Sequence, residues 1–203
     1  MFVIQRLRVL LSSAALLLLA LPAQSATVLV FGDSLSAAYG LRQEEGWVHL
    51  LQQELPQHRF INASISGETT GNGLARLPEA LALHKPDVLV LELGANDGLR
   101  GFPLHTVEKN LQAMIEHGLA ANCRILLLGI RIPPNYGPRY TEQFAAIYTK
   151  LAERNRIAVV PFFLHAIAGD SVHFQSDTIH PTAAAQPQIL ATVRPALEPL
   201  LEP

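Results

Sequence analysis

Strand-like runs alternate with stretches of helical periodicity along residues 28–200, and this alternation constrains the chain more than any single motif. Val28 to Phe31, Asp87 to Leu93, Arg124 to Ile130 and Ile157 to Val160 are short apolar runs suited to buried strands, and Arg59 to Asn62 supplies a shorter fifth. Between them, apolar residues recur at helical spacing. Trp47, Leu50, Leu51 and Leu55 make one stripe, stopped by Pro56. Gly71 to Leu83 makes a second, with Pro78 expected to bend or break it. Val107 to Leu119 and Thr141 to Arg154 make two more. Thr182 to Leu200 closes the chain, with interruptions expected at Pro187 and Pro195. Alternating strands and helices imply a parallel sheet covered on both faces. Right-handed crossovers leave few topologies. The expected fold is α/β: a flavodoxin-like, doubly wound, five-stranded parallel sheet with helices on both faces.

The first 25 residues stand apart from this pattern. Arg6 and Arg8 give a positive start, and Val9 to Leu21 is an apolar core too short to span a bilayer comfortably. Pro22 to Ala26 then offers small residues for cleavage after Ser25 or Ala26. Residues 1–25 therefore read as a secretory signal, with an uncleaved anchor as the weaker alternative, and residues 26–203 as one domain. The expected location is periplasmic or secreted. A domain of that size buries a substantial core, and no internal repeat or linker divides it.

Charge and cysteine content remove further classes. The net charge is −2 with no basic patch, which argues against nucleic acid as a partner. Cys123 is the single cysteine, so no intrachain disulfide forms; beside the run Ile125 to Leu128 it reads as a buried structural thiol. Neither GxGxxG nor GxxxxGK[ST] occurs, so no phosphate loop is expected. His173, Asp177 and His180 lack a further ligand at zinc-motif spacing, and no metal or organic cofactor is expected.

In a parallel sheet the loops after the strands share one rim. Gly32-Asp33-Ser34 follows the first strand, Ala63 to Thr70 the second and Gly94-Ala95-Asn96-Asp97-Gly98 the third. Arg131 to Pro138 follows the fourth, and Asp177-Thr178-Ile179-His180-Pro181 lies beyond the fifth. Each group has a plain reading. Asp33 and Ser34 suit a turn, Gly67 a positive φ, Asn96 an Asx turn, and Asp177 and His180 a surface loop. Taken together, they put a nucleophile, a base, a carboxylate and polar donors on one edge, which is what hydrolytic acyl transfer requires.

Four ordered blocks carry a resemblance to a known family. They are Gly32 to Ser36, Asn62 to Thr69, Glu92 to Gly101 and Asp177 to Pro181. The chain resembles the SGNH (GDSL) hydrolases, and among them the secreted bacterial thioesterase, lysophospholipase and arylesterase group. The similarity runs through essentially all of residues 26–203. Ala95 and Thr178 depart from it, standing where glycine is frequent. The resemblance implies Ser34 as nucleophile, His180 as its base and Asp177 as the residue that orients the imidazole. It implies an oxyanion hole made by the Ser34 and Gly67 backbone N–H groups and the Asn96 side-chain amide. Asp33 is a poor rival to Asp177, because neighbouring extended residues point opposite ways; Asp97 remains a rival.

The implied activity is hydrolysis of acyl esters and thioesters through an acyl-serine intermediate, on small molecules that include lysophospholipids, by a monomer without a stable membrane anchor. Pro133, Pro134 and Tyr136 are expected to wall an acyl-chain groove. Two other readings stay open at this point. One is a carbohydrate O-acetylesterase on the same fold; the other is a non-catalytic binding protein.

Overall fold

The computed structural model describes residues 25–202; the proposed signal segment, apart from Ser25, lies outside them. Five strands form one parallel sheet in the order β2-β1-β3-β4-β5. They are β1 (Thr27–Gly32), β2 (Arg59–Asn62), β3 (Val88–Glu92), β4 (Arg124–Leu128) and β5 (Ala158–Val160). The order reverses between β1 and β3, the switch point at which such sheets open a crevice beyond the strand carboxyl ends. Central β3 is buried along its whole length, as expected of a strand covered on both faces.

The described residues form six α-helices: α1 (Trp47–Glu54), α2 (Thr70–His84), α3 (Ala95–Leu99), α4 (Leu104–Ala120), α5 (Pro138–Asn155) and α6 (Gln186–Leu197). α1 packs with α6, while α4 packs with both α2 and α5, giving a helical layer on each face. The buried stripes follow the spacing read from sequence: Leu77 and Leu81 on α2, Leu111, Met114 and Ile115 on α4, Phe144, Ile147, Tyr148 and Leu151 on α5. Cys123 is buried, and its thiol donates to the Pro86 carbonyl at 3.2 Å. Burial, reinforced by the charge of Asp87, pushes that thiol up to about 11, so it remains protonated.

The prolines behave differently from expectation. α2 runs through Pro78 without a break. An interior proline costs about 3 kcal/mol, but Gly73, Leu77, Ala80 and Leu81 bury one face and hold the helix in place. The last helix starts at Gln186 rather than Thr182, after a single 3-10 turn at Ala183–Ala185. Pro187 then sits in its first turn, where a missing N–H is no loss. Pro195 lies inside α6, and a second 3-10 turn, Glu198–Leu200, follows it. α5 begins at Pro138, three residues earlier than its apolar periodicity suggested, because proline suits a first turn.

Candidate active site

β1 ends at Gly32, and the chain turns there because nothing larger fits. A Cβ at Gly32 would stand 2.6 Å from Glu92 Oε2 and 2.9 Å from the Glu92 carbonyl. The turn leaves Ser34 half-buried at the rim, between the buried residues Asp33 and Leu35.

His180 reaches Ser34 from the far end of the chain. Its Nε2 lies 2.8 Å from Ser34 Oγ, and its Nδ1 lies 2.7 Å from Asp177 Oδ2. The Asp177–His180 loop is built to make that second contact. Asp177 Oδ1 accepts the Ile179 and His180 backbone N–H groups, both at 3.0 Å. Thr178 takes φ 63, a left-handed conformation that is unfavourable for a β-branched residue. Burial alone would raise the Asp177 carboxyl; the hydrogen bonds from the His180 N–H, the imidazole and the Ile179 N–H outweigh it and bring it down to about 2. An ionised Asp177 therefore faces Nδ1 at neutral pH, which favours a proton on Nδ1 and leaves Nε2 free to accept from Ser34. Tyr39 lies over the imidazole, with ring centroids 4.3 Å apart.

The other histidines at this rim do different things. His105 sits in the first turn of α4 beside Thr106, and His173 gives its carbonyl to the Thr182 N–H. Asp97, the rival orienter, is turned away from His180. Its carboxylate accepts from Thr70 Oγ1 at 2.6 Å and Thr70 N at 2.8 Å, tying α3 to the start of α2.

Asn96 lies in α3, a short helix that begins directly after β3 and that no apolar periodicity announced. Its Nδ2 lies 3.0 Å from Asp33 Oδ2 and 3.1 Å from the Glu68 carbonyl. Two acceptors on one side fix which end of the amide carries nitrogen. Gly67 stands beside Glu68 at φ +79, in a turn that a residue with a Cβ enters only under strain. Among the described residues, neither the Ser34 nor the Gly67 backbone N–H donates to another protein group. The serine, glycine and asparagine loops thus bring two backbone donors and one amide to the same rim.

Beside Ser34 opens a cavity of about 330 Å³. Its wall takes residues next to three of the site groups: Leu35 follows Ser34, Ala95 precedes Asn96, and Thr178 and Ile179 precede His180. Ile130, Ile132, Pro133 and Pro134 supply a second side, and Phe162, Leu164 and Phe174 a third. The lining is mainly apolar, and Arg131 is its one charged residue. The size suits a small-molecule ligand. Tyr136 is not among the residues of this wall. Its hydroxyl donates to the Leu99 carbonyl at 2.8 Å and staples the proline loop to the end of α3. The segment 162–174 was not singled out from sequence, because it lacks a regular apolar period.

Residues 30–186 match the GDSL-like lipase/acylhydrolase family. The chain belongs to this family. It is 49% identical to "Esterase TesA" of Pseudomonas aeruginosa, over 96% of this chain and 100% of that protein. It is 43% identical to "Thioesterase 1/protease 1/lysophospholipase L1" of Escherichia coli K12, over 86% and 85%. Among solved structures, that of the psychrotrophic esterase EstA from Pseudoalteromonas sp., inhibited by monoethylphosphonate, is similar with a TM-score of 0.83. That match has 45% identity and covers 87% of this chain and 99% of the other. The α/β fold expected from the alternation of elements is thus the fold of this family, and the chain is an enzyme of its hydrolase type.

Proposed function

We propose that the protein hydrolyses acyl esters and thioesters with Ser34 as nucleophile, His180 as base and then acid, and Asp177 as the residue that orients the imidazole. The observation that carries this is the chain of contacts Asp177–His180–Ser34, at 2.7 Å and 2.8 Å, next to an apolar cavity lined by their chain neighbours Leu35, Thr178 and Ile179. A serine hydroxyl is a weak nucleophile until a base removes its proton, and His180 Nε2 is within reach to do so. Attack on the acyl carbonyl gives an oxyanion, received by the Ser34 and Gly67 backbone N–H groups and the Asn96 amide. His180 returns its proton to the leaving alcohol or thiol, and the acyl-serine is then cleaved by water through the same groups. No step calls for a metal, and no group of three or more His, Cys, Asp or Glu able to hold one occurs among the described residues.

The cavity supports the substrate class. Its apolar wall suits an alkyl chain better than a sugar, which favours acyl substrates over carbohydrate acetates. The names of the relatives, esterase and thioesterase/lysophospholipase, point the same way. Residues 1–25 are proposed to export the protein to the periplasm or medium. No described helix is long and apolar enough to cross a membrane.

The test is turnover of p-nitrophenyl acyl esters and acyl-CoAs of increasing chain length by the purified protein. Hydrolysis that Ser34→Ala abolishes is expected; full activity in the folded Ser34→Ala protein would overturn the assignment.

A further inference from the structure

Beneath Ser34 lies a carboxyl cluster that the steps above do not use. Asp33 and Glu92 are wholly buried, and Glu68 and Asp97 nearly so. Three of the four have clear partners. Glu68 pairs with Arg76 of α2, and its Oε1 accepts from Arg76 Nε at 3.0 Å. Asp97 holds Thr70. Glu92 Oε2 accepts from Ser36 Oγ at 2.7 Å and from the Asp33 N–H at 3.2 Å, while its Oε1 has no partner. Among the described residues Asp33 has no ion-pair partner of its own. Its Oδ1 accepts the Leu35 N–H at 3.0 Å, and its Oδ2 accepts the Asn96 amide.

We propose that Asp33 is the positioning residue of the oxyanion donor: its buried carboxylate holds the Asn96 amide as Asp177 holds the His180 imidazole. This rests on the oxyanion role of Asn96 given above. A side-chain amide can rotate, and donors stabilise an oxyanion well only when already aimed. Nδ2 carries two hydrogens. One stays on Asp33 Oδ2, and the other passes from the Glu68 carbonyl to the developing oxyanion. The Leu35 N–H fixes Asp33 in turn, so the residues flanking Ser34 set both the nucleophile and the donor.

The arrangement is pH-sensitive. Asp33 is faced by Glu92 from β3, Asp97 from α3, Glu68 with its partner Arg76, and Tyr148 from α5. Burial, opposed by the Leu35 and Asn96 hydrogen bonds and helped by the charges of Asp97 and Glu68, pushes its carboxyl up to about 7. Burial and then the charge of Asp33 also push Glu92 up. A proton on Asp33 occupies one of the two oxygens that receive Leu35 and Asn96, and the anchor is lost as pH falls.

The experiment compares Asp33→Asn, Asp33→Ser, Asn96→Ala and Asp33→Asn/Asn96→Ala with wild type, using a p-nitrophenyl ester across pH. Losing the aim of a donor costs no more than losing the donor. Both Asp33 variants should therefore lower kcat by about tenfold or more, within the ~10²- to 10³-fold loss of Asn96→Ala, with KM little changed. In the Asn96→Ala background, Asp33→Asn should add less than about threefold, because the two act as a unit. In wild type, kcat/KM should fall more steeply at acid pH than in Asp33→Asn, because a proton on Asp33 adds to the loss. Wild-type kcat in both Asp33 variants, a loss that multiplies in the double variant, or acid limbs of equal steepness in wild type and Asp33→Asn would overturn the proposal while leaving Asn96 in its role. An Asn96→Ala protein with wild-type kcat would instead remove the oxyanion reading and this inference with it. Where Asp33→Ser does not fold, Asp33→Asn, which keeps the size of the side chain, decides.

Discussion

His180 Nε2 lies 2.8 Å from Ser34 Oγ although 146 positions separate the two residues. One follows the first strand and the other follows the fifth, so only the closed fold makes the pair. A base that exists to take the serine proton has no purpose without the serine. Ser34→Ala, His180→Ala and the double variant should therefore lose nearly the same activity, the double being hardly worse than either. Acylation rates on folded variants check this; independent, multiplying losses would mean that the two do not act together.

Asp177 holds the imidazole through Nδ1 at 2.7 Å, so replacing its carboxylate with an amide changes which tautomer is favoured. Asp177→Asn should fold normally and lose roughly 10⁴-fold in kcat, by analogy with the orienting carboxylate of other serine triads. Thr178→Gly, one residue on, should leave activity in place, because glycine accepts φ 63 without strain. A Thr178→Gly protein as impaired as Asp177→Asn would show that the loop depends on the threonine side chain.

The carbons of the fold were legible in the sequence, and part of the oxygens and nitrogens was not. Buried strands and helical stripes announce themselves because apolar residues repeat with the period of the element. Ser34, Asn96, Asp177 and His180 could be gathered at one rim because parallel strands all end there. In sequence Asp33 reads as a turn residue and, by strand alternation, as a poor partner for His180; its actual partner, Asn96, comes from another loop whose side-chain direction no periodicity records. Glu92 left a signal that could have been read. It is a carboxylate ending an otherwise apolar run, Val88 to Leu91, and a buried charge there needs a reason. The Tyr136 hydrogen bond to Leu99 left no signal in the sequence, because a tyrosine in a proline-rich loop looks the same whether its ring faces a ligand or its hydroxyl braces the backbone.

The carboxyl of Asp33 also sets a pH dependence of stability. Its pKa rises from 3.8 to about 7 on folding, so the folded protein holds this proton more tightly than the unfolded chain. The sign follows: the group's contribution is fully present below about pH 3.8, declines as pH rises from there to about 7, and is constant above. The change is on the order of a few kcal/mol, which is a large share of a domain's stability. Asp33→Asn removes the titration. Its melting temperature relative to wild type should therefore climb between about pH 4 and pH 7 and level off beyond. A difference that stays flat across that range would mean that Asp33 titrates as it does in the unfolded chain.

The cavity beside Ser34 makes a prediction about chain length. Its wall is assembled from α3 and several loops, with Phe162, Pro133 and Pro134 among its residues. Arg131 stands over the Phe162 ring, 5.2 Å from its centroid, so the one charged residue of the lining rests on an aromatic that also faces the cavity. If an acyl chain fills this space, only substrates long enough to reach Phe162 gain from it. Each methylene in an apolar pocket is worth roughly 1–3 kcal/mol of discrimination. Phe162→Ala should then lower kcat/KM for long-chain p-nitrophenyl esters by about 10- to 100-fold and leave the acetate nearly unchanged. Tyr136→Phe removes the staple to Leu99 but no part of the wall, at about 1 kcal/mol of loop stability. It should loosen the proline loop and weaken the preference for long chains less than Phe162→Ala does. Pro133→Gly, which changes the wall and its stiffness together, should shift the optimum itself. A chain-length profile that all three variants leave unaltered would put the acyl chain elsewhere, along the exposed rim lined by Tyr39 and Ile65.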